Sequence, residues 1–211
     1  MTDAPKRPNI EQRAFRPIHV SGYEREANDF YPTPAWVTET LLKCVPLRGP
    51  VWEPCCGDGA IARIVEQHGH RVEATDLGDR GYGKGGMDFF AQHAIPNFCQ
   101  SIVTNPPYGD GGAERTSRRA SAQLLEFVRH AIDLTEKADG QLALLVRFTW
   151  IAGQRASALM STGPLDKVIV LTHRIVWFDM GPATKTGQHH HCWLYFDAQR
   201  DRSKPPEIVF A

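Results

Sequence analysis

"VWEPCCGDGAIARIVEQHGHRVEATDL", residues 51–77, decides the fold. Val51 and Trp52 open a short apolar run that reads as a buried strand. Glycines at 57 and 59 then turn the chain, because glycine takes positive φ without steric cost. Ile61, Ile64 and Val65 recur at helical spacing, and Gly69 follows as a left-handed stop. A second strand, "RVEATD", finishes at Asp76. Strand, glycine turn, helix and strand in 27 residues make a βαβ unit, whose crossover sets two strands parallel.

Working outward, "FYPTPAWVTETLLKCV" precedes this unit. Thr33 and Pro34 read as the N-cap and first position of a helix with Val37, Leu41 and Cys44 on one face. Downstream, "LGDRGYGKGGMDFF" is a glycine-rich loop ending near Asp88, and "SIVTN" is a short strand. After "NPPYG" comes a polar loop, "DGGAERTSRRASAQ", and then a long helix with Leu124, Phe127, Val128, Ala131, Ile132 and Thr135 at helical spacing. "QLALLVRF" is continuously apolar, as strands buried on both faces are. "IAGQRASALMS" predicts a helix, and "KVIVLTHRIVWF" and "HCWLYF" predict a hairpin around "DMGPATKTGQHH". The alternation predicts an α/β fold: a three-layer αβα sandwich on a mostly parallel seven-stranded sheet with a C-terminal antiparallel hairpin. Residues 1–28 read as a polar arm, and 29–211 as a single domain.

Bulk composition narrows the function classes. Lys+Arg and Asp+Glu balance at 24 each, so nucleic-acid binding would need a local basic patch. No apolar run approaches the ~20 residues that span a bilayer, and the N-terminus has no apolar leader core, so the expected location is the cytoplasm, away from membranes. Five cysteines, two of them adjacent at 55 and 56, read as small apolar residues in a reducing compartment.

Glu53, Asp76, Asp88 and Asn105 all fall at the ends of expected strands, where open α/β sheets bind ligands. "EPCCGDG" is no phosphate loop: it has no GK[ST], and Glu53 and Asp58 flank Gly57. These carboxylates repel a pyrophosphate and attract an amino group or sulfonium. Asp76, 19 residues beyond Gly57, is spaced to take ribose hydroxyls. A cationic nucleoside with an amino-acid tail fits, and S-adenosylmethionine is that molecule.

In this order, "FYPTP", "EPCCGDG", "ATD", "MDFF" and "NPPY" resemble the amino-group DNA methyltransferases, specifically the N6-adenine type. The likeness covers residues 30–108, and the later strands only by architecture. It implies a Rossmann-like fold in which Tyr31, Thr33, Glu53, Pro54, Gly57, Gly59, Asp76, Asp88, Phe89 and Asn105 hold S-adenosylmethionine. It also implies that Asn105, Pro106, Pro107 and Tyr108 form the catalytic tetrapeptide. An adenine amino group is a poor nucleophile because its lone pair is delocalised. The Asn105 side-chain oxygen and the Pro106 carbonyl, held still by two prolines, would accept its two hydrogens and localise that pair. Tyr108 offers a ring on which an extruded base stacks. Larger members carry a separate target-recognition domain, which has no counterpart in 29–211.

Double-stranded DNA is the partner implied. Arg115, Arg118 and Arg119 follow the tetrapeptide as candidate phosphate contacts, and Lys185, His189 and His191 mark a second loop. A homodimer would extend the footprint. The three adjacent histidines do not point to a metal, since alternate residues of a strand face opposite ways. Two alternatives stay open: transfer to another amino group (a glutamine amide, cytosine N4 or an RNA base), and a catalytically silent DNA-binding module.

Overall fold

Strand β1 (Val51–Glu53) lies between β2 (Val72–Ala74) and β3 (Ser101–Thr104), parallel to both. The chain therefore leaves β1 to one side and returns to the other, which opens a crevice beyond the carboxyl ends of β1 and β3. The computed structural model describes residues 31–96, 98–108, 117–177, 187 and 189–211, with only the backbone of 117–121. The arm at 1–28 lies outside the described residues.

The sheet continues through β4 (Gln141–Arg147), β5 (Leu165–Val170), β6 (His191–Asp197) and β7 (Glu207–Phe210), in the order β2-β1-β3-β4-β6-β5-β7. Only β6 runs antiparallel, inserted between β4 and β5, so the expected hairpin is present with its second strand toward the centre. The seventh strand is "EIVF", which pairs parallel to β5 at the edge; it was not located from the sequence because only Val209 of its four residues is even half-buried.

Helices α1 (Ala35–Cys44) and α2 (Ala60–Gln67) cover one face; α3 (Ser117–Lys137) and α4 (Gln154–Thr162) cover the other. Strand β4 shows why both faces are needed. Leu142, Leu144 and Val146 pack toward α3, while Ala143 and Leu145 pack toward α1. Trp193 of β6 is fully buried, and its Nε1 donates to the Val37 carbonyl at 2.9 Å, which ties α1 to the sheet.

At the amino ends of the parallel strands every polar group in one cluster is partnered. Arg48 grips Asp197 through both guanidinium nitrogens at 2.7 and 2.9 Å. Gln141 donates to the same carboxylate at 3.0 Å and accepts from the Arg48 amide and the Ser101 hydroxyl.

Three local expectations are corrected. Pro34, not Thr33, is the N-cap of α1, and no side chain caps it. Asp88 does not end a strand; its carboxylate caps a 3-10 turn, Phe89–Ala91, by accepting from the Phe90 amide at 2.9 Å. Helix α3 begins at Ser117, so Arg118 and Arg119 belong to its first turn and not to the preceding loop.

Candidate active site

The glycine turn after β1 needs both glycines, for different reasons. Gly57 and Gly59 take φ of 55° and 85°, the left-handed region that penalises a Cβ. A Cβ on Gly59 would also stand 2.5 Å from the Tyr82 ring, which packs against the turn and carries the Arg63 guanidinium 4.5 Å above its centre. Gly59 thus admits a side chain of the protein, and it does not line the cavity described next. Gly57 does. Its amide donates to Asp76 Oδ2 at 2.9 Å, and the other Asp76 oxygen accepts from the Gly78 amide at 2.8 Å. Asp76, two residues past β2, holds the loops on both sides of the crevice.

A cavity of about 410 Å3 opens there. Tyr31, Thr33, Glu53, Pro54, Gly57, Asp76, Asp88, Phe89 and Asn105 all line it, so the residues expected around one ligand from "FYPTP", "EPCCGDG", "ATD", "MDFF" and "NPPY" are brought together. Cys55 and Cys56 are part of the same wall. All five cysteines are free thiols, and burial pushes Cys56 up to about 12, which keeps that thiol protonated.

Three buried acceptors in this wall have no partner, one each on Glu53, Asn105 and Gln123. Glu53 is 2% exposed, and its Oε2 makes no hydrogen bond. Burial drives its carboxyl well above the usual range, opposed by the Ala62 amide and reinforced by the charges of Asp76 and Asp58. Asn105, just after β3, donates through Nδ2 to the Thr33 hydroxyl at 3.3 Å, while its Oδ1 is buried and unpartnered. Thr33, released from capping α1, holds the Nδ2 end of the Asn105 amide.

The apolar part of the site was missed from the sequence. Phe89, expected to touch the ligand, is 6% exposed and stacks on Phe127 with centroids 4.3 Å apart. Its neighbour Phe90 is 50% exposed and lines the cavity, as does Leu77, 65% exposed. Only "FF" and the leucine after "ATD" signalled this, and neither tells which ring turns outward.

Within the tetrapeptide, Pro106 is buried and Pro107 is exposed on the cavity rim. The Tyr108 hydroxyl donates to the Leu145 carbonyl at 3.0 Å, and the Arg147 guanidinium lies 5.5 Å from its ring centre. Of the expected DNA contacts, Arg115 and Lys185 lie outside the described residues, as do the side chains of Arg118 and Arg119. His189 is exposed. His191 must be corrected: it begins β6 at 2% exposure, donates from Nδ1 to the His189 carbonyl at 3.1 Å and meets Trp177 edge-on. Burial and the Arg147 charge depress it to about 4, so it is a neutral core residue. Among the described residues, no three His, Cys, Asp or Glu side chains gather as a metal site. Nor is any described helix long and apolar enough to cross a membrane.

No known family model matches the chain, and no curated protein matches it in sequence. Solved structures share its fold. One, from Vibrio vulnificus YJ016, is described as "a modification subunit of a putative type I restriction enzyme"; it is 14% identical, with a TM-score of 0.54 over 90% of this chain and 48% of its own. The M protein of the type I restriction enzyme EcoKI is 16% identical, with a TM-score of 0.52 over 84% of this chain and 45% of its own. A Lactococcus lactis protein described as "a putative hemolysin" is 10% identical, with a TM-score of 0.51 over 84% of this chain and 91% of its own. The chain thus spans about half the length of the two modification subunits.

Proposed function

We propose that the chain is an S-adenosylmethionine-dependent DNA methyltransferase that modifies N6 of an adenine turned out of the duplex. The observation that carries this reading is the buried, unpartnered Oδ1 of Asn105 on the wall it shares with Glu53, Gly57 and Asp76. A buried acceptor left without a donor costs about 1–3 kcal/mol, and an amino group supplies that donor.

The residues present fit the cofactor. A ligand cation satisfies the orphaned Glu53 oxygen and favours its charged form, which suits an ammonium or a sulfonium. Each Asp76 oxygen accepts one amide and keeps a lone pair for a ribose hydroxyl. Leu77 and Phe90 offer apolar surfaces to a planar base. When bound, the cofactor supplies an electrophilic methyl group.

Everything else is work for the chain's own residues. Asn105 Oδ1 and the Pro106 carbonyl accept the two amino hydrogens, which directs the nitrogen lone pair out of the ring plane. Two prolines hold these acceptors still, and Tyr108, tied to Leu145, gives the base a fixed ring to stack on. The fold shared with two modification subunits of type I restriction enzymes supports DNA as the substrate.

Incubation with tritiated S-adenosylmethionine and duplex DNA, RNA or protein, followed by digestion and mass spectrometry, tests this. N6-methyladenine in DNA is expected. Label on cytosine N4, in RNA or on a glutamine amide would replace the reading with that acceptor.

A further inference from the structure

At the end of β4 and past the end of β5, two arginines stand without a carboxylate partner among the described residues. Arg147 ends β4, directly opposite His191 of β6, and its guanidinium lies over the Tyr108 ring. Arg174, past the end of β5, donates from Nε to His190 Nε2 at 3.1 Å. The backbone locks these pieces together, because the Phe148 amide donates to the His190 carbonyl at 2.9 Å. Arg147, Arg174, His189 and His190 are all exposed.

The field here comes from the arginines. Burial lowers His189, and the charges of Arg147 and Arg174 lower it further; among the described residues no carboxylate acts in the opposite sense. The imidazole is thereby disfavoured as a cation, while among the described residues no carboxylate pairs with either guanidinium fork. Such an arrangement favours an anion over a cation or an apolar partner. Phe148, 38% exposed, adds a ring to the same edge, and guanidinium interleaved with exposed aromatic surface suits a nucleic-acid strand better than an acidic peptide.

We propose that Arg147 and Arg174, with His189 and His190, form the seat for a backbone phosphate flanking the nucleotide presented to Asn105. The proposal rests on the reading of the cavity as acting on a nucleic-acid base, and it gives that reading its substrate grip. Arg147 reaches the target only through the strand, so it is a positioning residue. Its place over Tyr108 puts the phosphate next to the ring on which the base stacks.

The full-length chain, with S-adenosylhomocysteine present, is titrated into a fluorescein-labelled mixed-sequence duplex across a salt series. The wild-type protein should lose affinity steeply with salt. The double variant Arg147→Gln/Arg174→Gln should bind about tenfold more weakly near physiological salt, with a log–log slope shallower by about one, as expected for the loss of one neutralised phosphate. Arg147→Lys/Arg174→Lys should recover most of that slope, which a folding defect would not allow. An unchanged slope in the glutamine variant, with wild-type methyl transfer to DNA intact, overturns the phosphate seat and leaves the proposed function standing. Wild-type transfer to protein with none to DNA overturns both.

Discussion

The two edges of the same sheet treat buried polar groups in opposite ways. At the amino ends, Arg48, Asp197, Gln141 and Ser101 satisfy one another through five short hydrogen bonds. At the carboxyl ends, Glu53 Oε2 and Asn105 Oδ1 are just as hidden and have nothing to bond. Groups of the same kind, in the same fold, stabilise the protein at one rim and weaken it at the other. Unpaired buried acceptors persist where a ligand completes them, so the contrast separates the part of the molecule that holds the sheet together from the part that does chemistry.

The largest effect should come from the open rim. Asn105→Ala removes an acceptor needed only as charge develops on the amino nitrogen, so kcat should fall about 10²–10³-fold while S-adenosylhomocysteine affinity barely moves. Calorimetric titration beside steady-state methyl transfer reads both. Next, Phe90→Ala should weaken S-adenosylhomocysteine binding about tenfold, since the half-exposed ring contributes a stacking surface and little core. An unchanged Kd would remove Phe90 from the site.

The closed rim should answer in stability alone. Asp197→Ala should cost about 2–3 kcal/mol, or about 5–10 °C in Tm, and leave cofactor affinity and kcat as they were. Its pH behaviour has a definite sign. Burial would raise the Asp197 carboxyl, but the hydrogen bonds from Arg48, Gln141 and the Gln199 amide outweigh this and hold it below the usual range. The bond to Asp197 in turn raises Arg48. The stability that Asp197 contributes is therefore present above the ordinary aspartate range and is lost as pH falls through its depressed value. Thermal melts across that acid range should show a flatter limb for the variant than for the wild type.

The division between the rims also explains what could be read from the sequence. The βαβ unit was legible because Gly57, Gly59 and the Ile61–Ile64–Val65 stripe each have one physical use. "NPPY" was legible because two prolines after an apolar run are costly anywhere that rigidity is not wanted. β7 was hidden because an edge strand lacks a buried alternating face. The Arg48–Asp197 pair was hidden because its members are 149 residues apart and meet only through topology. Thr33 misled, since a threonine before a proline is the usual sign of a helix start, whereas here its hydroxyl serves Asn105. His191 misled because three histidines in a row look exposed, and strand pairing buries the last one.

Glu53 offers the most direct test of the central claim. Its folded-state carboxyl is raised, so its contribution to stability is complete below the ordinary glutamate range and is lost as pH rises toward the elevated value. Glu53→Gln keeps the shape and removes the ionisable group. Melting the ligand-free variant and titrating it with S-adenosylmethionine at neutral pH should show a higher Tm than wild type together with about tenfold or greater loss of affinity. A variant that melts lower and binds the cofactor as tightly as wild type would mean that Glu53 is a structural group, and that the open rim is not built for a cationic ligand.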